Sequence, residues 1–106
     1  MEESEFEALA GEALAKIEQR LEASGADIDY ELQAGGILEV AFADGSKIII
    51  NRHVAAREIW VAARSGGFHF RYTGGQWVGT RDGAELFAAL ERLASEQAGE
   101  RVCLSG

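Results

Sequence analysis

Phe6, Leu9, Ala10, Ala13, Leu14, Ile17 and Leu21 recur at spacings of three and four, the one-sided apolar stripe of an amphipathic helix. Ser4 followed by Glu7 has the form of a capping box, so the helix is expected to start there and to end near Gly25. Glu7, Glu18 and Glu22 fall in one stripe beside the apolar face, with Glu5 and Glu12 on the other flank. At Asp27 the period changes to two. Ile28, Tyr30 and Leu32 are expected to share one side, while Asp27, Asp29 and Glu31 line the opposite side of the same strand.

Gly35-Gly36 turns the chain into a second strand with Leu38, Val40 and Phe42 inward, and Asp44-Gly45 predicts a tight hairpin into Lys47 to Asn51. Further strands are expected over Glu58 to Ala63, Phe68 to Tyr72 and Gln76 to Gly79, separated by Ser65-Gly66-Gly67 and Gly74-Gly75. A second helix is expected to start at Asp82, with Glu85 answering as the third residue of a cap, to bury Leu86, Phe87, Leu90, Leu93 and Ala94, and to stop at Gly99. The order helix, five or six strands, helix, with short connections, predicts an α+β fold. It is a two-layer α/β sandwich in which an antiparallel meander carries both terminal helices on one face.

That arrangement leaves the other face of the sheet uncovered. If Ile48, Ile50, Ile59, Val61, Phe68, Phe70 and Tyr72 face the helices, alternation places Ile49, Asn51, Trp60, Ala62, His69 and Arg71 outward. An outward tryptophan ringed by polar residues points to a protein contact surface; shielding of Trp60 by neighbouring strands is the competing reading.

A chain of 106 residues fits one domain, residues 1–106, and its composition is that of a soluble protein with no apolar run of membrane-spanning length. The start Met-Glu-Glu-Ser-Glu is unlike a secretory signal, which makes the cytoplasm the expected compartment. Charge is divided unevenly. Met1 to Asp44 holds twelve Asp/Glu against two Lys/Arg, net −10, while Gly45 to Gly106 holds six against eight, net +2; the two regions sum to −8. Carboxylates gathered in one region call for cations or a basic partner, and the acidic balance argues against nucleic acid. Cys103 alone builds no internal disulfide or thiolate cluster and is expected to pack as a small hydrophobe in the tail. His53 and His69 are too few and too separated for a zinc centre and read as surface or partner-contact residues. Ser46 and Cys103 lack a recurrent nucleophile motif around them, and the glycine-rich turns lack a P-loop lysine.

Gly45-Ser-Lys-Ile-Ile-Ile-Asn-Arg52, Glu58-Ile-Trp-Val-Ala-Ala63 and Gly66-Gly-Phe-His-Phe70, with Asp27-Ile-Asp29 and Gln97-Ala-Gly99, resemble the frataxin family, its bacterial branch most closely, from Ser4 to about Gly99. The resemblance implies weak iron binding by acids of the first helix and first strand, and a regulatory, non-catalytic part in iron–sulfur cluster assembly. The partners it implies are the cysteine desulfurase and the scaffold protein, with no membrane. A monomer is expected, with oligomers under excess iron. Read from the residues, Glu18, Glu22, Asp27, Asp29 and Glu31 end one helix and begin the adjacent strand, so their carboxylates can converge. Oxygen-only ligation suits Fe²⁺ or Fe³⁺ but also other divalent cations, held weakly and exchangeably. A metal-independent acidic adaptor is the alternative. Asn51, Arg52, Trp60, His69 and Arg71 form the candidate partner-contact set. Two departures stand out. Gln19 and Ala23 hold positions where bacterial relatives often carry paired acids, which lowers the ligand count. His53-Val54-Ala55 replaces a usual Gln and nearby Pro, which is expected to loosen the loop after Arg52.

Overall fold

The computed structural model describes residues 1–104, and its elements follow the two hydrophobic periods. The first stripe closes into α1, Glu3–Ala23, and buries Phe6, Ala10, Ala13, Leu14, Ile17 and Leu21. Its start corrects the expected capping box: Glu2 is the N-cap and makes no side-chain cap, because Phe6 N–H already donates to Glu2 O at 2.9 Å and draws Ser4 into the first turn. Glu3 and Glu5 instead place negative charge where the helix dipole favours it.

Six strands follow: β1 Ile28–Gln33, β2 Ile37–Phe42, β3 Lys47–His53, β4 Glu58–Ala63, β5 Gly66–Thr73 and β6 Gln76–Gly79. They form one antiparallel sheet in the spatial order β1-β2-β3-β4-β5-β6, as expected of strands joined by short turns. The Asp44-Gly45 turn works as a hairpin should. Gly45 takes a positive φ of 88°, its N–H donates to Phe42 O, and the Asp44 carboxylate accepts from both Ser46 N and Ser46 Oγ.

The second helix, α2, runs Leu86–Ala98, four residues later than its expected start at Asp82. Glu85 is the cap, accepting from Phe87 N at 2.9 Å and Ala88 N at 3.1 Å. The preceding residues cannot be helical because they serve the sheet: Val78 bridges Glu85, Gly79 N–H donates to Ala84 O, and Asp82 closes a turn by accepting from Ala84 N. The end matches expectation, with Gly99 in the left-handed region at φ 71°.

Both helices lie on one face, against Leu38, Val40, Phe42, Ile48, Ile50, Ile59, Val61 and Phe70, all buried. Trp77 finishes this core by edge-to-face contact with Phe6 and Tyr72. Leu32 shares the helix-facing side with Ile28 and Tyr30, opposite Leu38, but is 52% exposed, since β1 is an edge strand with nothing beyond it. The tail folds back along the helices. Val102 and Leu104 are buried, Leu104 N donates to Glu91 Oε1, and Arg20 Nη1 donates to Leu104 O at 2.7 Å. This alternation turns Cys103 outward, so the thiol is exposed rather than packed. No helix among the described residues is long and apolar enough to cross a membrane.

Candidate functional site

Two exposed regions carry the candidate residues. The first is the acidic edge made by the second half of α1 and by β1. Among the described residues none of Glu18, Glu22, Asp27, Asp29 and Glu31 forms an ion pair, whereas nearby Glu39 is held by Lys47 at 2.6 Å and Asp44 by Arg64 at 3.0 Å. The five acids do not converge on one point, because β1 divides them. Asp29 and Glu31 lie on the uncovered face, opposite Ala41 and Glu39, while Tyr30 turns toward α1 and its hydroxyl donates to Glu22 Oε2 at 2.9 Å. That hydrogen bond, aided by partial desolvation and by the charges of Glu22 and Glu18, raises the Tyr30 pKa above the ordinary phenol value. Among the described residues no group of three or more His, Cys, Asp and Glu is close enough to share one metal ion. Such a surface suits hydrated cations passing between neighbouring carboxylates or a basic protein face, in place of a closed coordination cage.

The second region lies on the uncovered face over β3, β4 and β5. Register places Asn51, Trp60 and His69 in one row across the three strands, on the side turned away from the helices. Trp60 is sandwiched: His53 stacks on it with ring centroids 3.8 Å apart and His69 at 4.3 Å, each nearly parallel. His53 joins the site although its departure from the family pattern pointed to a looser loop. Its Nδ1 accepts from Ala56 N, so the histidine ties down the turn it was expected to free. Arg52 falls out of the group, since alternation along β3 sends it to the other face, opposite Ile59.

Glu58 organises the row. It is only 6% exposed, yet it lies on the uncovered face two residues from Trp60 and opposite Arg71. Its carboxylate accepts from Trp60 Nε1 at 2.9 Å and Arg71 Nη2 at 2.8 Å, with His69 Nδ1 at 3.6 Å. The indole hydrogen bond, then the Arg71 guanidinium and the nearby His69, hold the Glu58 pKa below the usual carboxylate value against the opposing cost of burial. The spacing of Glu58 and Trp60 was the one signal in the chain that could have pointed to this carboxylate.

A Frataxin-like domain profile matches residues 1–100. The chain belongs to the frataxin-like family. It is 62% identical over 104 residues to the "Iron-sulfur cluster assembly protein CyaY" of Dechloromonas aromatica, with 98% of this chain and 99% of that protein covered. The protein of the same name from Cupriavidus metallidurans is 50% identical over 107 residues, covering 98% and 96%. Among solved structures, the frataxin of Psychromonas ingrahamii superposes with a TM-score of 0.92 at 37% identity over the full length of both chains. A trimeric yeast frataxin at 24% identity, covering 93% of this chain and 81% of its own, shares the fold with a TM-score of 0.67. In this frataxin-like chain, then, the β1 part of the acidic edge shares the uncovered face with the tryptophan row, while Glu18 and Glu22 stand on the helix side. Asp29 and Glu31 lie at one margin of the uncovered sheet and Trp60, His69 and Arg71 toward the other.

Proposed function

We propose that this frataxin-like chain is an iron-responsive regulatory protein of iron–sulfur cluster assembly. It holds Fe²⁺ or Fe³⁺ weakly at Glu18, Glu22, Asp27, Asp29 and Glu31 and docks on the cysteine desulfurase, with Asn51, Trp60, His69 and Arg71 meeting the assembly machinery. It acts by binding, not by catalysis. The observation that carries this reading is the line of carboxylates left without cationic partners beside others that have them. The names of the relatives from Dechloromonas and Cupriavidus support the pathway. Iron here is cargo. Exposed, all-oxygen donors that are not gathered into one cluster bind a hard cation with several waters retained, so exchange is fast and selectivity low.

The test is an anaerobic Fe²⁺ titration followed through backbone amide resonances. Broadening and shifts should begin at Glu18, Glu22, Asp27, Asp29 and Glu31 and leave α2 unaffected. Silence at millimolar metal would leave a metal-independent acidic adaptor as the function. A pull-down from native extract with and without Fe²⁺, scored for the desulfurase, tests the partner separately.

A further inference from the structure

The two edges of the sheet are finished differently. At β6 the chain covers its own edge, since Val78 pairs with Glu85 and Gly79 N–H donates to Ala84 O at 2.7 Å. At β1 nothing comparable happens. Ile28 N–H is taken by Ala26 O, but among the described residues no hydrogen bond reaches the open side of the backbone from Asp29 to Gln33. An open row of N–H and C=O groups is a template for another strand, and proteins close such rows unless something else controls what pairs there.

The side chains along this edge define the strand that fits. Asp29 and Glu31 project on the uncovered face without ion-pair partners, while Tyr30 and the exposed Leu32 lie on the helix-facing side. An added strand would meet carboxylates at every second position on one face and the Tyr30 ring and Leu32 on the other, with Glu22 beyond the Tyr30 hydroxyl. We propose that the open edge of β1 receives an extended basic segment of a partner protein as an additional strand, its Lys or Arg residues alternating with apolar ones.

The same charges reject a second copy of this chain as the occupant. Pairing β1 with β1 of another molecule, in any register that keeps the acidic faces together, sets carboxylates beside carboxylates, and like charges across a strand pair are destabilising. Repulsion of copies and attraction of a basic strand are thus one device. The surroundings strengthen it: Glu22 and Glu18 stand near Tyr30 on the helix side, in a region whose net charge is −10. Backbone pairing supplies affinity, and the alternating side chains supply the choice of partner.

This inference rests on the docking part of the function proposed above, and the experiment separates the two. Isotope-labelled full-length protein is titrated with a blocked six-residue peptide of alternating Lys and Val. Parallel titrations use the same peptide with every second amide N-methylated, made in both phases. Strand addition requires slowed hydrogen exchange at alternate amides between Asp29 and Gln33. It also requires at least roughly tenfold weaker binding by one methylated peptide, and a similar loss in the Asp29→Lys/Glu31→Lys variant. If all peptides bind equally without exchange protection, the edge attracts charge alone: docking stands and strand addition is overturned. If none binds, strand addition is overturned, and docking is decided by the pull-down alone. If the protein associates with itself through β1 at low salt, a second copy is the occupant and the proposal is wrong.

Discussion

Gln97 and Glu58 show how single polar side chains inside this fold are held to one conformation. Gln97, 6% exposed, accepts from Arg64 N and donates to Ser46 Oγ and Lys47 O, joining the end of α2 to the turns after β2 and β4. Replacing it by Ala leaves a buried N–H and C=O without partners, so Gln97→Ala should cost about 1–3 kcal/mol in urea denaturation. Glu58 has the opposite exposure to charge: its folded pKa is depressed, so its stabilisation is complete above the unfolded glutamate value of about 4.3 and is lost as pH falls through the folded value. Melting temperature should therefore drop below about pH 4.3, and Glu58→Gln should flatten that slope while lowering stability at neutral pH. A variant with an unchanged slope would show that other carboxylates govern the acid limb. The partners of Gln97 could not be read from the sequence, because they come from 33 to 51 positions away, and of those of Glu58 only Trp60, two residues on, lies within reach of a local pattern.

At the scale of elements, periodicity carried most of the fold. Strand phases are legible in β2 and β5, where inward apolar residues alternate with polar or small ones. In β3 and β4, where Ile49 and Trp60 blur the alternation, they are fixed because a one-residue slip would bury Asn51 and, across the sheet, Arg71. The starts of both helices were not legible, since Ser4 and Asp82 are good caps by type and lose to neighbouring backbone contacts. Glu85→Ala should accordingly lower stability by about 1 kcal/mol, with an Asp82→Ala effect confined to the turn. The row on the uncovered face was legible as an exposed surface but not as a stack, because the diagonal contact of His53 with Trp60 depends on register and on the β3–β4 turn. With Trp60 held between two rings and bonded to Glu58, little rotamer freedom remains to lose on binding. Trp60→Arg should keep the fold and weaken desulfurase binding by about 2 kcal/mol or more, measured by calorimetry; equal affinity would remove Trp60 from the interface.

For the whole molecule, the uneven charge was visible in the sequence, but its arrangement was not. The sequence could not reveal that Lys47 and Arg64 neutralise Glu39 and Asp44 and leave the acids of α1 and β1 unpaired, because these pairs form across strands and turns. Docking by the unpaired set should weaken with salt, since the screening length falls from about 8 Å at 0.15 M to about 3 Å at 1 M. A complex with salt-independent affinity would place the contact elsewhere. The tail also belongs to this scale: Leu104, buried against both helices, closes the layer between α1 and α2. Leu104→Ala should cost about 2–5 kcal/mol, an effect visible as a lower urea midpoint with an unchanged binding surface.

The chain has two tryptophans, and the fold has given them different surroundings. Trp77 sits among Phe6 and Tyr72 in the interior, and Trp60 lies between two imidazoles on the outside. Fluorescence from single-tryptophan variants would thus separate two events that usually share one signal. Emission from position 77 would follow melting of the core, and emission from position 60 would respond to anything settling on the sheet.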